Sequence, residues 1–215
     1  NLVIKNKKEP VTCIIGGSKI STKINVITKL IEKVNNLIIV GAMANNFFAY
    51  KKLKIGKSLI EKDTKEIIET IYKKAKMHNC EILIPEDCVV GKNFDGEGKN
   101  KNLDDVQDNE IILDIGVNTV KNIVKKINNS NTILWNGPAG YFENDNFANG
   151  TLSIAENISK NTMKKSLISI LGGGDTLAAI NRSKSKLSFT HLSTAGGAFL
   201  EYLEGKDLPG ISVLK

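Results

Sequence analysis

Apolar runs of four or five residues that end abruptly in glycine and give way at once to segments of helical period recur along this chain. Val11-Thr12-Cys13-Ile14-Ile15 stops at Gly16-Gly17, the pattern of a strand buried on both faces. The next segment changes period: Ile20, Ile24, Ile27, Leu30, Ile31 and Val34 fall on one helical face, with Lys23, Lys29, Glu32 and Lys33 on the other. Leu37-Ile38-Ile39-Val40 then runs into Gly41-Ala42-Met43-Ala44 and a short helix, followed by a longer one with Ile67, Ile68, Ile71, Tyr72 and Ala75 on one face. Further strands are expected over 81–84, at Ile111-Ile112-Leu113, at Thr132-Ile133-Leu134-Trp135, over 166–171 and over 189–193, with a helix after Gly116 marked by Val117, Val120, Ile123, Val124 and Ile127. Strands that alternate with helices pair in parallel through crossovers, so the expected class is α/β: a doubly wound parallel sheet of about six strands with helices on both faces.

The chain's 215 residues and 41% hydrophobic content are enough for one sizeable core, which excludes disorder as the main state. The net charge of +7 raises the question of nucleic acid, but Arg182 is the one arginine and the lysines are scattered among Asn and Ser. No basic block is interleaved with stacking aromatics, so no nucleic-acid partner is expected. Cys13, Cys80 and Cys88 form no C-x-x-C pair and read as reduced thiols; no apolar stretch reaches the length of a membrane span, and NLVIKNKKEP lacks a signal-peptide pattern. A cytoplasmic chain without membrane contact is expected. It opens on Asn1, with its first methionine at Met43, and so reads as the later part of something longer.

At least four strands stop in glycine-rich loops that lead into helices, and in an open parallel sheet such loops line the crevice where ligands bind. Helix N-termini there offer free N–H groups to anions, which points to a phosphorylated ligand. Two common nucleotide motifs are absent. Lys54-Ile55-Gly56-Lys57-Ser58 looks like the end of a P-loop, but position 51 is lysine where that motif needs glycine. Neither Gly172-Gly173-Gly174 nor Gly96-Glu97-Gly98 completes a dinucleotide fingerprint. Lys19 and Lys23, four apart at a helix start, can both reach a polyphosphate, although Lys23 reads equally as a solvated helix lysine. Asp175 is either an N-cap carboxylate or a ligand for Mg²⁺ on nucleotide phosphates. Glu143 is either a solvated loop acid or an acceptor for ribose hydroxyls. His78 reads as a helix-end surface residue, His191 and Trp135 as core. No acid–base or nucleophile constellation stands out, which suits phosphoryl transfer.

Taken together, Gly16-Gly17-Ser18-Lys19-Ile20-Ser21-Thr22-Lys23, Trp135-Asn136-Gly137-Pro138, Phe147-Ala148-Asn149-Gly150-Thr151, Gly172-Gly173-Gly174-Asp175-Thr176 and Leu203-Glu204-Gly205-Lys206 closely resemble the C-terminal, nucleotide-binding half of the phosphoglycerate kinase family. The resemblance implies a Rossmann-like domain over residues 11–205, with residues 1–10 a remnant of the interdomain connection and 206–215 a C-terminal tail. It implies reversible phosphoryl transfer between 1,3-bisphosphoglycerate and ADP in glycolysis, Mg²⁺ with ATP or ADP as the cofactor, and a monomer whose missing partner is the N-terminal domain that binds 3-phosphoglycerate. By the same resemblance Lys19, Gly173 and Gly196 serve catalysis, with Lys19 stabilising the migrating group and Gly196 and Gly197 gathering charge. Gly16, Gly17, Lys19, Lys23, Gly41, Leu59, Leu113, Asn136, Pro138, Glu143, Gly173, Gly174, Asp175 and Thr176 bind nucleotide. Within that set Gly17, Gly41, Leu59 and Leu113 form the adenine slot, Pro138 and Glu143 meet the ribose, Asn136 and the N–H groups of Gly174 and Thr176 meet phosphate, and Asp175 holds the metal. A non-catalytic adenine-nucleotide-binding or interaction module is the alternative reading.

Overall fold

The structure, a computed structural model, describes residues 7–194. The expectations placed on Gly196, Gly197, the Leu203–Lys206 motif, the tail 206–215 and the first six residues lie outside the described residues.

Strands β1 (Val11–Ile15), β2 (Asn36–Ile39), β3 (Glu81–Leu83), β7 (Thr132–Asn136), β8 (Ile168–Gly172) and β9 (His191–Ser193) form one parallel sheet in the order β3-β2-β1-β7-β8-β9. The α/β class with six parallel strands is therefore as expected. All five residues of β1 are buried, because the strand is central and covered on both faces. Its side chains alternate. Cys13 and Ile15 join Leu37, Ile39 and the apolar faces of α1 (Ile24–Ile31) and α3 (Lys65–Met77) on one side. Ile14 joins Ile38, Ile133, Trp135 and the helices α4 (Val117–Asn128) and α5 (Asn149–Lys165) on the other. Trp135 is fully buried, as expected of core.

Four local expectations need correction. Ile111-Ile112-Leu113 belongs to β6 (Ile111–Ile115), which lies in a separate antiparallel sheet with β4 (Asp87–Gly91) and β5 (Lys99–Asn102), in the order β5-β4-β6. The segment from Lys92 to Asp108 holds β5 and the turn that joins it to β4; an isolated apolar run does not reveal its strand partner, and parallel pairing of Ile111-Ile112-Leu113 follows only from its neighbours in sequence. Val117 is 48% exposed, and Thr119 takes its place against the core, because the buried Asp87 carboxylate accepts from Thr119 N–H at 2.8 Å and draws in the first turn of α4. His191 is exposed, since β9 is the edge strand. The first helix begins later than its apolar period suggests, with a 3₁₀ turn at Ser21–Lys23 before α1.

Candidate functional site

Four neighbouring strands of the large sheet end level with one another. Ile39, Ile15, Asn136 and Gly172 pair across β2, β1, β7 and β8, so the turns beginning at Val40, Gly16, Gly137 and Gly173 all leave from one row. The chain crosses the sheet to one side from β1 to β3 and to the other from β7 to β9, which makes the β1/β7 boundary a topological switch point. The turns touch there. Gly16 N–H donates to the Asn136 carbonyl at 2.8 Å, Gly41 N–H to that of Ala139 at 3.1 Å, and Met43 N–H to that of Gly17 at 2.9 Å. Two of the glycines are required by the approach. A Cβ on Gly16 would overlap the Pro138 carbonyl and sit 2.7 Å from that of Gly137, and Gly41, at φ +70°, would place one 2.7 Å from Gly17 N.

Lys23 is half-buried beneath this crossing and is not the solvated lysine of the alternative reading. Its ammonium donates to the Gly16 carbonyl at 2.6 Å and to Asn136 Oδ1 at 3.1 Å. Burial holds its pKa below the usual lysine range, and the Asp175 charge works in the opposite direction. Asn136 completes the junction: its Nδ2 donates to the Gly172 carbonyl at 2.8 Å, so both ends of the amide are engaged within the protein. Thr176 Oγ1 donates to the same carbonyl and accepts from Gly137 N–H at 2.7 Å, tying the short helix α6 (Gly174–Ile180) to the β7 turn. Gly173 occupies the N-cap of α6 and no side chain caps it, so Asp175 is not the N-cap carboxylate; it lies in the first turn, exposed. Lys19 is exposed, two residues ahead of the 3₁₀ turn. That turn is held by Glu61, whose carboxylate accepts from Ile20 N–H at 2.5 Å and from the Ser21 hydroxyl at 2.5 Å.

Gly17, Gly41, Leu59, Leu113, Pro138, Glu143 and Asp175 line one cavity of about 450 Å³, although they come from six separate stretches of sequence. Gly16, Lys23, Asn136, Gly173, Gly174 and Thr176 do not line it; the contacts above tie Gly16, Lys23, Asn136 and Thr176 to the turns that do, while Gly174 stands open with nothing within 4 Å of an added Cβ. The sequence did not single out Asn45, Phe94, Asp114 or Tyr141, which share the same cavity. Phe94 packs edge-on against Tyr141 with ring centroids 5.0 Å apart, and Asn144 Nδ2 holds its loop by donating to the Phe94 carbonyl at 2.9 Å. The available signal was an aromatic residue in an otherwise polar, turn-rich segment. Asp114 is 3% exposed and accepts from Ile115 N–H at 2.8 Å and Gly150 N–H at 2.7 Å. Burial pushes its carboxyl up to about 7 against the pull of those two bonds. His78 is exposed at the end of α3, as expected.

A family model described as phosphoglycerate kinase matches residues 1–206. The phosphoglycerate kinases of Wolbachia pipientis wMel and Xanthobacter autotrophicus are each 44% identical to the chain, over 211 and 208 residues. Those alignments cover 97% and 96% of the chain but 53% and 52% of the relatives. The solved structure of phosphoglycerate kinase from Coxiella burnetii superposes with a TM-score of 0.91 at 40% identity, covering 99% of the chain and 54% of the other. That from Pyrococcus horikoshii OT3 gives 0.80 at 26% identity, covering 99% and 53%. The chain spans about half the length of the curated relatives it matches.

Proposed function

The chain belongs to the phosphoglycerate kinase family, and from that premise we propose that it is the nucleotide-holding half of such an enzyme, binding Mg-ADP or Mg-ATP for reversible phosphoryl exchange with 1,3-bisphosphoglycerate and 3-phosphoglycerate held on a separate N-terminal half. The observation that carries this reading is the convergence of four glycine turns on one cavity, with a partly buried ammonium beneath it and a carboxylate at its rim. In this reading the base lies between Gly17, Gly41, Leu59 and Leu113, and the ribose meets Pro138 and Glu143. The phosphates run toward Lys19, Lys23 and the open first turn of α6. Lys23 is fixed by Gly16 and Asn136, so it offers its charge without first being ordered, while exposed Lys19 is free to follow the group in transit.

The residues present fit a nucleotide-borne Mg²⁺. Among the described residues no three His, Cys, Asp or Glu side chains gather to hold a cation by themselves. Asp175 would meet the ion as one carboxylate beside phosphates and water, the usual mode for Mg²⁺. When bound, the ion supplies neutralisation of phosphate charge.

Titration calorimetry of the chain with Mg-ADP tests the proposal, with saturable one-to-one binding expected and turnover of 3-phosphoglycerate by the chain alone near background. Absence of binding removes the nucleotide reading. Turnover near that of a full-length relative removes the claim that the acceptor site lies elsewhere.

A further inference from the structure

The peptide unit that joins Lys19 to Ile20 is held at both edges. Its N–H, on Ile20, donates to Glu61 Oε2 at 2.5 Å, and its carbonyl, on Lys19, accepts from the Thr22 hydroxyl at 3.1 Å. A peptide unit is planar, so holding both edges sets the direction in which the chain leaves the Lys19 α-carbon. Glu61 also accepts from Ser21 N–H at 3.1 Å and from the Ser21 hydroxyl at 2.5 Å, and Ile20 itself is fully buried. The Lys19 side chain, by contrast, is exposed.

Such a clamp works only where the acid is itself held, and α2 (Ala44–Tyr50) holds it. Asn46 Oδ1 accepts from Glu61 N–H at 2.9 Å, and Asn45 Nδ2 donates to the carbonyl of Leu59, two residues earlier, at 3.0 Å. Both asparagines are buried, so the segment 59–61 is anchored from the interior and Glu61 reaches from it to the turn. Burial works against the Glu61 charge, but the bonds from Ser21 and Ile20 outweigh it and hold the carboxyl below its usual range, which keeps it ionised at neutral pH. Hydrogen bonds to an ionised acceptor are about twice as strong as neutral ones. A charge stabilises a transition state best when it need not be ordered at the moment of reaction, and for an exposed lysine that order has to come from its backbone. We propose that Glu61 is a positioning residue for phosphoryl transfer, presenting Lys19 to the group in transit by holding the peptide that follows it. The inference rests on the role given to Lys19 above and deepens it.

The test is a double-mutant cycle in the full chain fused behind the N-terminal half of a relative, with kcat and the KM for Mg-ADP measured for the unsubstituted fusion, Glu61→Ala, Lys19→Ala and the double variant. Glu61→Ala is expected to lower kcat about ten- to a hundredfold with less than about threefold change in KM, and to cost less than about twofold more where Lys19 is already alanine. A residue that served the fold alone would cost the same factor in both backgrounds. An unchanged kcat, a loss repeated in full beside Lys19→Ala, or a rise in KM as large as the fall in kcat overturns the role of Glu61 and leaves the nucleotide reading standing. Circular dichroism and thermal melting check each fold. If Glu61→Ala does not fold, Glu61→Gln carries the same cycle: its amide oxygen accepts without the charge, so about a three- to tenfold loss in kcat is expected, absent beside Lys19→Ala. No loss, or one that persists beside Lys19→Ala, overturns the proposal. No turnover by the unsubstituted fusion removes the catalytic reading of the chain and this inference with it.

Discussion

Lys23 and Asp114 are both charged residues held close to the cavity, but burial acts on them with different consequences. The Lys23 ammonium keeps two acceptors at short distance, so Lys23→Ala would leave the Gly16 carbonyl and Asn136 Oδ1 without their donor as well as removing a positive charge from under the phosphates. Mg-ADP affinity is expected to fall by about ten- to a hundredfold, the range for hydrogen bonds to charged groups, as measured by calorimetry. For Asp114 the readout is pH. Its folded pKa, about 7, lies above the ordinary 3.8, so the folded chain retains a proton that the unfolded chain has lost. Stability contributed by this group therefore falls as pH rises from about 4 to about 7 and is level above that. Glu32, Glu61, Glu110 and Asp145 are shifted downward, and the stability they contribute is lost only as pH falls below the ordinary carboxylate range. Thermal melts from about pH 5 to about pH 8 thus isolate Asp114, and Asp114→Asn is expected to flatten that part of the profile. Because an amide cannot accept from Ile115 N–H and Gly150 N–H with both of its ends, the same variant should lose about 1–3 kcal/mol, read as a fall of several degrees in Tm.

At the scale of elements, the turns at the sheet's rim are held by the side chains of Lys23, Asn136 and Thr176 and also by direct backbone contacts, and it is the close backbone approaches that determine where an added methyl matters. Gly16→Ala drives a Cβ into two carbonyl oxygens of the β7 turn, neither of which can move without separating β1 from β7. A loss of more than about 2 kcal/mol is expected, accompanied by loss of Mg-ADP binding. Gly174 has nothing within 4 Å of an added Cβ and sits in the first turn of α6. Gly174→Ala is therefore expected to be neutral or to stabilise by up to about 1 kcal/mol through helix propensity. Denaturant unfolding of the two variants side by side checks both. The elements that the sequence revealed were those with a strong local period. α1, α3 and the central strands appear where their apolar spacing puts them, because burial on a fixed face is what spaced those residues. Those it concealed depend on partners distant in sequence. β4 pairs with β6 across 20 or so residues of polar hairpin, and Val117 yields its place to Thr119 because of Asp87, 30 or so residues earlier.

At the scale of the whole molecule, the candidate site was legible to the extent that it is built from glycine turns. Four turns belong to the four central strands, so register alone brings them together, and a sequence that shows the strands and the glycines already shows the rim. Asn45 and Phe94 were not legible. One is an ordinary helix residue until the fold places it in the cavity lining, and the other lies in a hairpin that folds back over the cavity from a different sheet. The remaining question at this scale is whether the rim only holds a nucleotide or also moves a phosphoryl group, and Lys19 separates the two. It is exposed just ahead of a turn clamped by Glu61 and lies outside the cavity lining, so truncation should leave the fold and most of the nucleotide affinity in place. Its charge would matter chiefly where negative charge is shared between donor and acceptor. With the N-terminal half of a relative supplied in trans or fused ahead of residue 1, Lys19→Ala is expected to lower kcat about a hundred- to a thousandfold with less than about threefold change in the KM for ADP, the signature of an interaction made mainly in the transition state. A steady-state assay of the reconstituted enzyme checks this; an unchanged kcat would favour a nucleotide-binding module that takes no part in the chemistry.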